Sequence, residues 1–122
     1  MRELTRRRDR QAAAALAIAW GYPRVITHLE IVHGRWWDTP CGVGWMIEGV
    51  HAGELHLHGI GRPGVRSVLS REWTAVVLET ARQLRAKRVY APLFGTNPAL
   101  ERLLRRAGWV KSDGIGPYLE VH

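Results

Sequence analysis

The chain has 122 residues, 46% hydrophobic and 24% charged, with eighteen Lys and Arg against eleven Asp and Glu and a formal net charge of +7. That length holds one core and excludes two domains of ordinary size, and no apolar run approaches the roughly 20 residues of a membrane span. A lone cysteine, Cys41, excludes an intrachain disulfide and reads as a small packing residue.

Residues 2–10 carry five Arg against Glu3 and Asp9. This Arg-rich start lacks the apolar core of a secretory signal, so an intracellular protein is expected. From about residue 4 to residue 20, high helix propensity and an Ala, Leu and Ile pattern predict a helix stopped by Gly21 and Pro23. The β-branched stretch 24–34 fits a strand or a short helix and strand, with the strand favoured, and "RWWDTPCG" (35–42) a turn built on Asp38 and Pro40. Residues 43–60 predict two strands joined at His51–Gly53, with Leu55 and Leu57 on one face and His56 and His58 on the other.

A helix over 68–87 follows, its apolar stripe carried by Leu69, Trp73, Val76, Val77 and Leu84. "RVYAPLF" (88–94) is a continuous apolar strand of the kind covered on both faces. Asn97 can then cap a helix, Pro98 suits its first position and Gly108 its end. A turn over 112–116 and a strand in "PYLEV" complete the chain. The order from residue 43 is β-β-α-β-α-β, in which a strand–helix–strand unit joins parallel strands. The class is therefore α/β or α+β with a mixed sheet.

Three motifs invite chemistry. "GIGRPG" (59–64) has the Gly-x-Gly-x-x-Gly spacing of a dinucleotide loop, but Pro63 stands where the helix would open and no acid ends the next strand. A bend or bulge at Gly59 and Gly61 beside a neighbouring strand explains these glycines with less machinery. His56 and His58 share a strand face, yet spacing dictates no third ligand, so no metal site is expected. Six tryptophans, with Trp36, Trp37 and Trp45 clustered, suit core packing or a protein interface, and the number of them favours the interface.

"TNPALERLLRRAGW" (96–109), following this element order, resembles the second half of the GCN5-related N-acetyltransferase (GNAT) superfamily, with Asn97, Leu100, Leu103, Leu104, Arg105, Arg106, Gly108 and Trp109 in motif order. The resemblance spans about 43–121 and implies one GNAT-like domain over 1–122, atypical and shortened in 1–42, with a mostly antiparallel mixed sheet flanked by helices. "GELHLHGIGRPGVRSVLSREW" (53–73) looks like the shortened GNAT-like proteins of tailed bacteriophages. If such a protein binds acetyl-CoA, the resemblance places Arg66, Ser67, Ser70, Arg71 and Asn97 at the coenzyme, and Glu54 or His56 as the general base.

Three departures weigh on that activity. Family members put small residues in the loop that lets backbone amides approach the coenzyme pyrophosphate. Here the register from Arg66 puts Leu69 and Arg71 at those positions, and the register from Arg62 puts Val65 and Ser67 there. The family's Tyr acid is replaced by Leu104, which has no proton to give. Only Glu54 and His56 stand out as bases. The expectation is thus a degenerate GNAT-fold protein of tailed-phage type, not an enzyme and without a cofactor, acting through protein contacts in a virion or its assembly. An acetyl-CoA-dependent N-acetyltransferase is the alternative, and a small basic module on nucleic acid the third. Expected partners are proteins of an assembly, including further copies of the chain, with nucleic acid bound non-specifically if at all. The expected location is the host cytoplasm or the virion.

Overall fold

In the computed structural model, residues 1–65, 70–92, 98–111, 114 and 116–122 are described, the side chain of Ser70 excepted. The elements are β1 (Arg2–Glu3), α1 (Arg7–Ala19), α2 (His28–His33), β2 (Arg35–Thr39), β3 (Gly42–Glu48), β4 (Glu54–Gly61), α3 (Ser70–Gln83), β5 (Arg88–Tyr90), α4 (Pro98–Arg106) and β6 (Tyr118–Glu120). The strands run in the order β1-β2-β3-β4-β5-β6, with β4 and β5 parallel and the β1–β2, β2–β3 and β5–β6 pairs antiparallel. This is the expected mixed, mostly antiparallel α+β architecture. No helix among the described residues is long and apolar enough to cross a membrane.

The chain divides into two compact units, Met1–Ile47 with His58–Val68, and Glu48–Leu57 with Leu69–His122. In the first, Ala13, Ala14 and Ala17 of α1 pack with Leu4, Ile26, Trp36, Val43 and Trp45. Small alanines let the helix backbone come close to the tryptophans, while Leu16 and Ile18 are exposed. The expected tryptophan interface is corrected too: Trp36 and Trp45 are wholly buried, stacked at 4.5 Å between ring centroids, and Trp37 is buried beside them in sequence. Burying rings of this size is the largest apolar contribution open to so small a core.

Of the two readings of 24–34 the favoured strand is wrong: the stretch is a loop and the short helix α2, as the other reading has it. Thr27 is its N-cap: the Thr27 hydroxyl accepts from the Glu30 N–H at 3.3 Å, and the Glu30 carboxylate accepts from the Thr27 N–H at 2.7 Å. This reciprocal box satisfies two backbone donors that a six-residue helix would otherwise leave open. Thr27→Ala is expected to lower stability by about 1 kcal/mol, read as a shift of the urea midpoint at constant slope. The turn predicted over 35–42 proves to be β2 followed by a tight connection, in which the Thr39 hydroxyl donates to the Gly42 carbonyl at 2.9 Å.

In the second unit α3 buries Thr74, Val77, Thr80 and Ala81, whereas Leu84 of the predicted stripe is exposed. Both threonines are buried because their hydroxyls are bonded: Thr80 donates to the Val76 carbonyl at 2.9 Å, and Thr74 accepts from the Trp109 indole N–H at 3.0 Å. That indole bond fastens the end of α4 to α3. Helix α4 starts at Pro98 as expected and is followed by Gly108 at φ +99°. Its predicted cap Asn97 lies outside the described residues, as do 93–94 of the predicted strand over 88–94, of which β5 holds Arg88–Tyr90.

Candidate active site

The site is built on one face of β4, β5 and β6 in the second unit. Cross-strand register pairs Glu54 with Arg88, His56 with Tyr90, Arg88 with Glu120 and Tyr90 with Tyr118. Alternate strand residues share a face, so Glu54, His56, Arg88, Tyr90, Tyr118 and Glu120 lie together, and the intervening Leu55, Val89 and Leu119 are buried on the other. His56 meets the Tyr90 ring edge-on at 5.9 Å, and Tyr90 meets Tyr118 at 5.7 Å. Arg88 ties the row together: it donates to the Tyr90 hydroxyl at 3.4 Å, lies 2.8 Å from the Glu120 carboxylate, and sits 4.6 Å above the Tyr118 ring. The Tyr90 hydroxyl and then Glu120 hold the Arg88 guanidinium above its ordinary pKa, so it is a permanent cation.

Glu54 differs from Arg88, Tyr90 and Glu120, which are bonded to one another. Its Oε2 is buried and has no hydrogen-bond partner among the described residues. A buried polar atom left unpaired costs free energy and is rare in folded proteins, which makes it the strongest local mark of a reactive group. Gly49 explains how His56 fits beside it. A Cβ at Gly49 would lie 3.0 Å from the His56 Nε2 and 3.2 Å from the Glu54 Cβ. The missing side chain leaves room for the imidazole. The two candidate bases thus fall on one face, and Tyr90, Tyr118 and Arg88 are neighbours that sequence reasoning missed. Alternation would have found them, since Arg88 and Tyr90 alternate with Val89 in the strand.

Of the residues assigned to the coenzyme, Arg71 is exposed near the start of α3. Arg66, Ser67, the Ser70 side chain and Asn97 lie outside the described residues. Leu104, at the position of the family's Tyr acid, is buried in α4. Among the described residues no three His, Cys, Asp or Glu side chains gather to hold a metal. His58 is buried in the first unit, where it shares a 3.0 Å hydrogen bond with the Tyr22 hydroxyl. Burial, with a smaller contribution from the Glu30 charge, pushes that hydroxyl up to about 12 against the pull of Arg24. The glycines of "GIGRPG" also have a local cause: Gly59 is a regular residue of β4, and a Cβ there would stand 3.2 Å from the Val43 carbonyl. The expected bend is a close approach to β3.

Spermidine N-acetyltransferase of Vibrio cholerae, a dodecamer, superposes with a TM-score of 0.67 over 98% of this chain and 91% of its own, at 15% identity. Campylobacter jejuni N-acetyltransferase PseH in complex with acetyl-coenzyme A gives 0.59 over 90% of each chain at 13% identity. A Bacillus subtilis acetyltransferase in complex with CoA gives 0.57 over 76% of this chain and 80% of its own at 11% identity. The fold is that of the GNAT acetyltransferases. No protein-family model and no curated relative matches the chain. The comparisons overturn the expected virion component acting through protein contacts: the solved structures that share this GNAT fold are acetyltransferases, two of them with the coenzyme or its acetyl form bound.

Proposed function

We propose that the protein is an acetyl-CoA-dependent N-acetyltransferase in which Glu54 of β4 is the general base. The observation that carries this reading is the buried, unpartnered Glu54 Oε2 beside His56, on a chain with the GNAT fold. Acetyl-CoA would supply an acyl thioester to an acceptor amine, so that a C–N bond forms as the C–S bond breaks and the thiolate departs. Glu54 takes the amine proton, directly or through a water. His56, held by Tyr90 and accommodated by Gly49, lines the approach. The coenzyme would meet Arg71, with Arg66, Ser67, Ser70 and Asn97 assigned by the resemblance, and the exposed Arg71 guanidinium would attract its phosphates. Departure of the thiolate draws its proton from water, because Leu104 offers none.

The likeness of residues 53–73 supports a place beside the shortened phage-encoded members of the superfamily. The dodecameric neighbour from Vibrio cholerae supports self-association of this chain. Calorimetric titration with acetyl-CoA, followed by a thiol-release assay over a panel of amines, tests the activity. Saturable binding in the range of about 1 μM to 1 mM, together with amine-dependent release of free thiol, is the expected result. No heat at millimolar acetyl-CoA overturns the proposal.

A further inference from the structure

The register places Arg88 between two carboxylates, Glu54 on the parallel side and Glu120 on the antiparallel side. Neighbouring strands lie about 4.8 Å apart and paired residues project to the same face, so one guanidinium has an acid on either hand. It engages only one of them. Arg88 pairs with Glu120 at 2.8 Å, donates to the Tyr90 hydroxyl and covers the Tyr118 ring, while the Glu54 Oε2 has no hydrogen-bond partner among the described residues. We propose that Glu120 is a positioning residue: by holding Arg88 on the β6 side, it keeps the Glu54 carboxylate free to accept a proton. This rests on the acetyl-transfer reading above.

An Arg88–Glu54 ion pair would stabilise the carboxylate anion and occupy the lone pairs that must take the amine proton. Arginine cannot escape that role by losing its proton, so it must be engaged elsewhere. Glu120 supplies the opposite charge, the Tyr90 hydroxyl an acceptor and the Tyr118 ring a face for the cation. His56, on the same strand, approaches the same Gly49 position as the Glu54 Cβ, and the Lys87 stem packs on the preceding Gly53, 3.3 Å from where a Cβ would be.

The test compares the wild-type chain with Glu120→Gln, Arg88→Gln and the double variant, each checked for folding by its thermal melt. Glu120→Gln is expected to lower kcat at least about tenfold with KM for acetyl-CoA held within about twofold. The double variant should recover to within about threefold of Arg88→Gln, because the quenching cation is gone. Carboxyl-carbon NMR gives a second readout that does not depend on turnover: the Glu54 carboxyl resonance should move in Glu120→Gln, as the guanidinium turns to it, and return in the double variant. An unmoved Glu54 resonance in Glu120→Gln, or a double variant as slow as Glu120→Gln, overturns the proposal. An inactive wild-type chain with the expected resonance changes overturns the acetyltransferase reading and leaves the Arg88 arrangement standing.

Discussion

Glu54→Gln is expected to reduce kcat/KM for acetyl transfer by about a hundred- to ten-thousand-fold, the usual contribution of a positioned general base. The same change should leave stability unaltered or raise it by up to about 1 kcal/mol, because an unpaired buried carboxylate is replaced by a neutral amide of equal size. The two outcomes together separate a base from a structural acid: among the described residues the Glu54 Oε2 has no hydrogen-bond partner, so replacing it breaks none there. Parallel measurements of steady-state rates and thermal melts decide it. A Gln variant that keeps full activity, or that unfolds well below the wild-type chain, would remove Glu54 from the chemistry.

Glu54 and His56 were legible in the sequence because period-two alternation in "GELHLHG" puts both on one strand face, and the structure keeps them there. The neighbours that shape the site were not. Arg88 and Tyr90 sit in a segment whose apolar run suggests a strand buried on both faces, yet the described strand stops at Tyr90 and its outward residues are polar and aromatic. Register is the missing information: only the ladder pairs Arg88 with Glu54 and Glu120. The hindrance expected in the loop at 66–69 falls outside the described residues and leaves the coenzyme contacts as proposals.

The fold was readable where local signals agreed with burial and misread where a small or polar residue went inside. Helix α4 was marked by Pro98 and Gly108, and the order β4-α3-β5-α4-β6 follows from punctuation alone. Helix α2 was the less favoured reading because "RVITHLEIVHG" is rich in β-branched residues, although Thr27-x-x-Glu30 is a capping-box signature within it. Local hydrogen bonding outweighed β-propensity there. The tryptophan count suggested an outward surface, but Glu30 draws Trp36 and Trp45 inward: the Trp36 indole donates to its carbonyl at 2.8 Å, and the Trp45 indole to its carboxylate at 3.2 Å.

That acid is the centre of the second large effect. Glu30 is 5% exposed, and its carboxylate accepts from both terminal nitrogens of Arg24, from the Thr27 N–H and from the Trp45 indole. Burial acts to raise its pKa, but those hydrogen bonds, Arg24 first, outweigh it and hold the group down at about 2 against an ordinary 4.5. Glu30→Ala would strand a half-buried guanidinium, an indole N–H and an uncapped helix at once, and is expected to cost about 3 kcal/mol. In a chain of this size that lowers Tm by roughly 10 °C. The pH dependence has a fixed sign. A carboxyl whose folded pKa lies below its unfolded pKa adds stability that is fully present above the unfolded value and is lost as pH falls through the folded one. Wild-type stability should therefore decline from about pH 4.5 toward pH 2, and Glu30→Gln, which has no proton to gain, should show a shallower decline over that window. Urea unfolding of both proteins at half-unit steps between pH 5 and pH 2 measures the difference, and parallel curves would place the acid-sensitive group elsewhere.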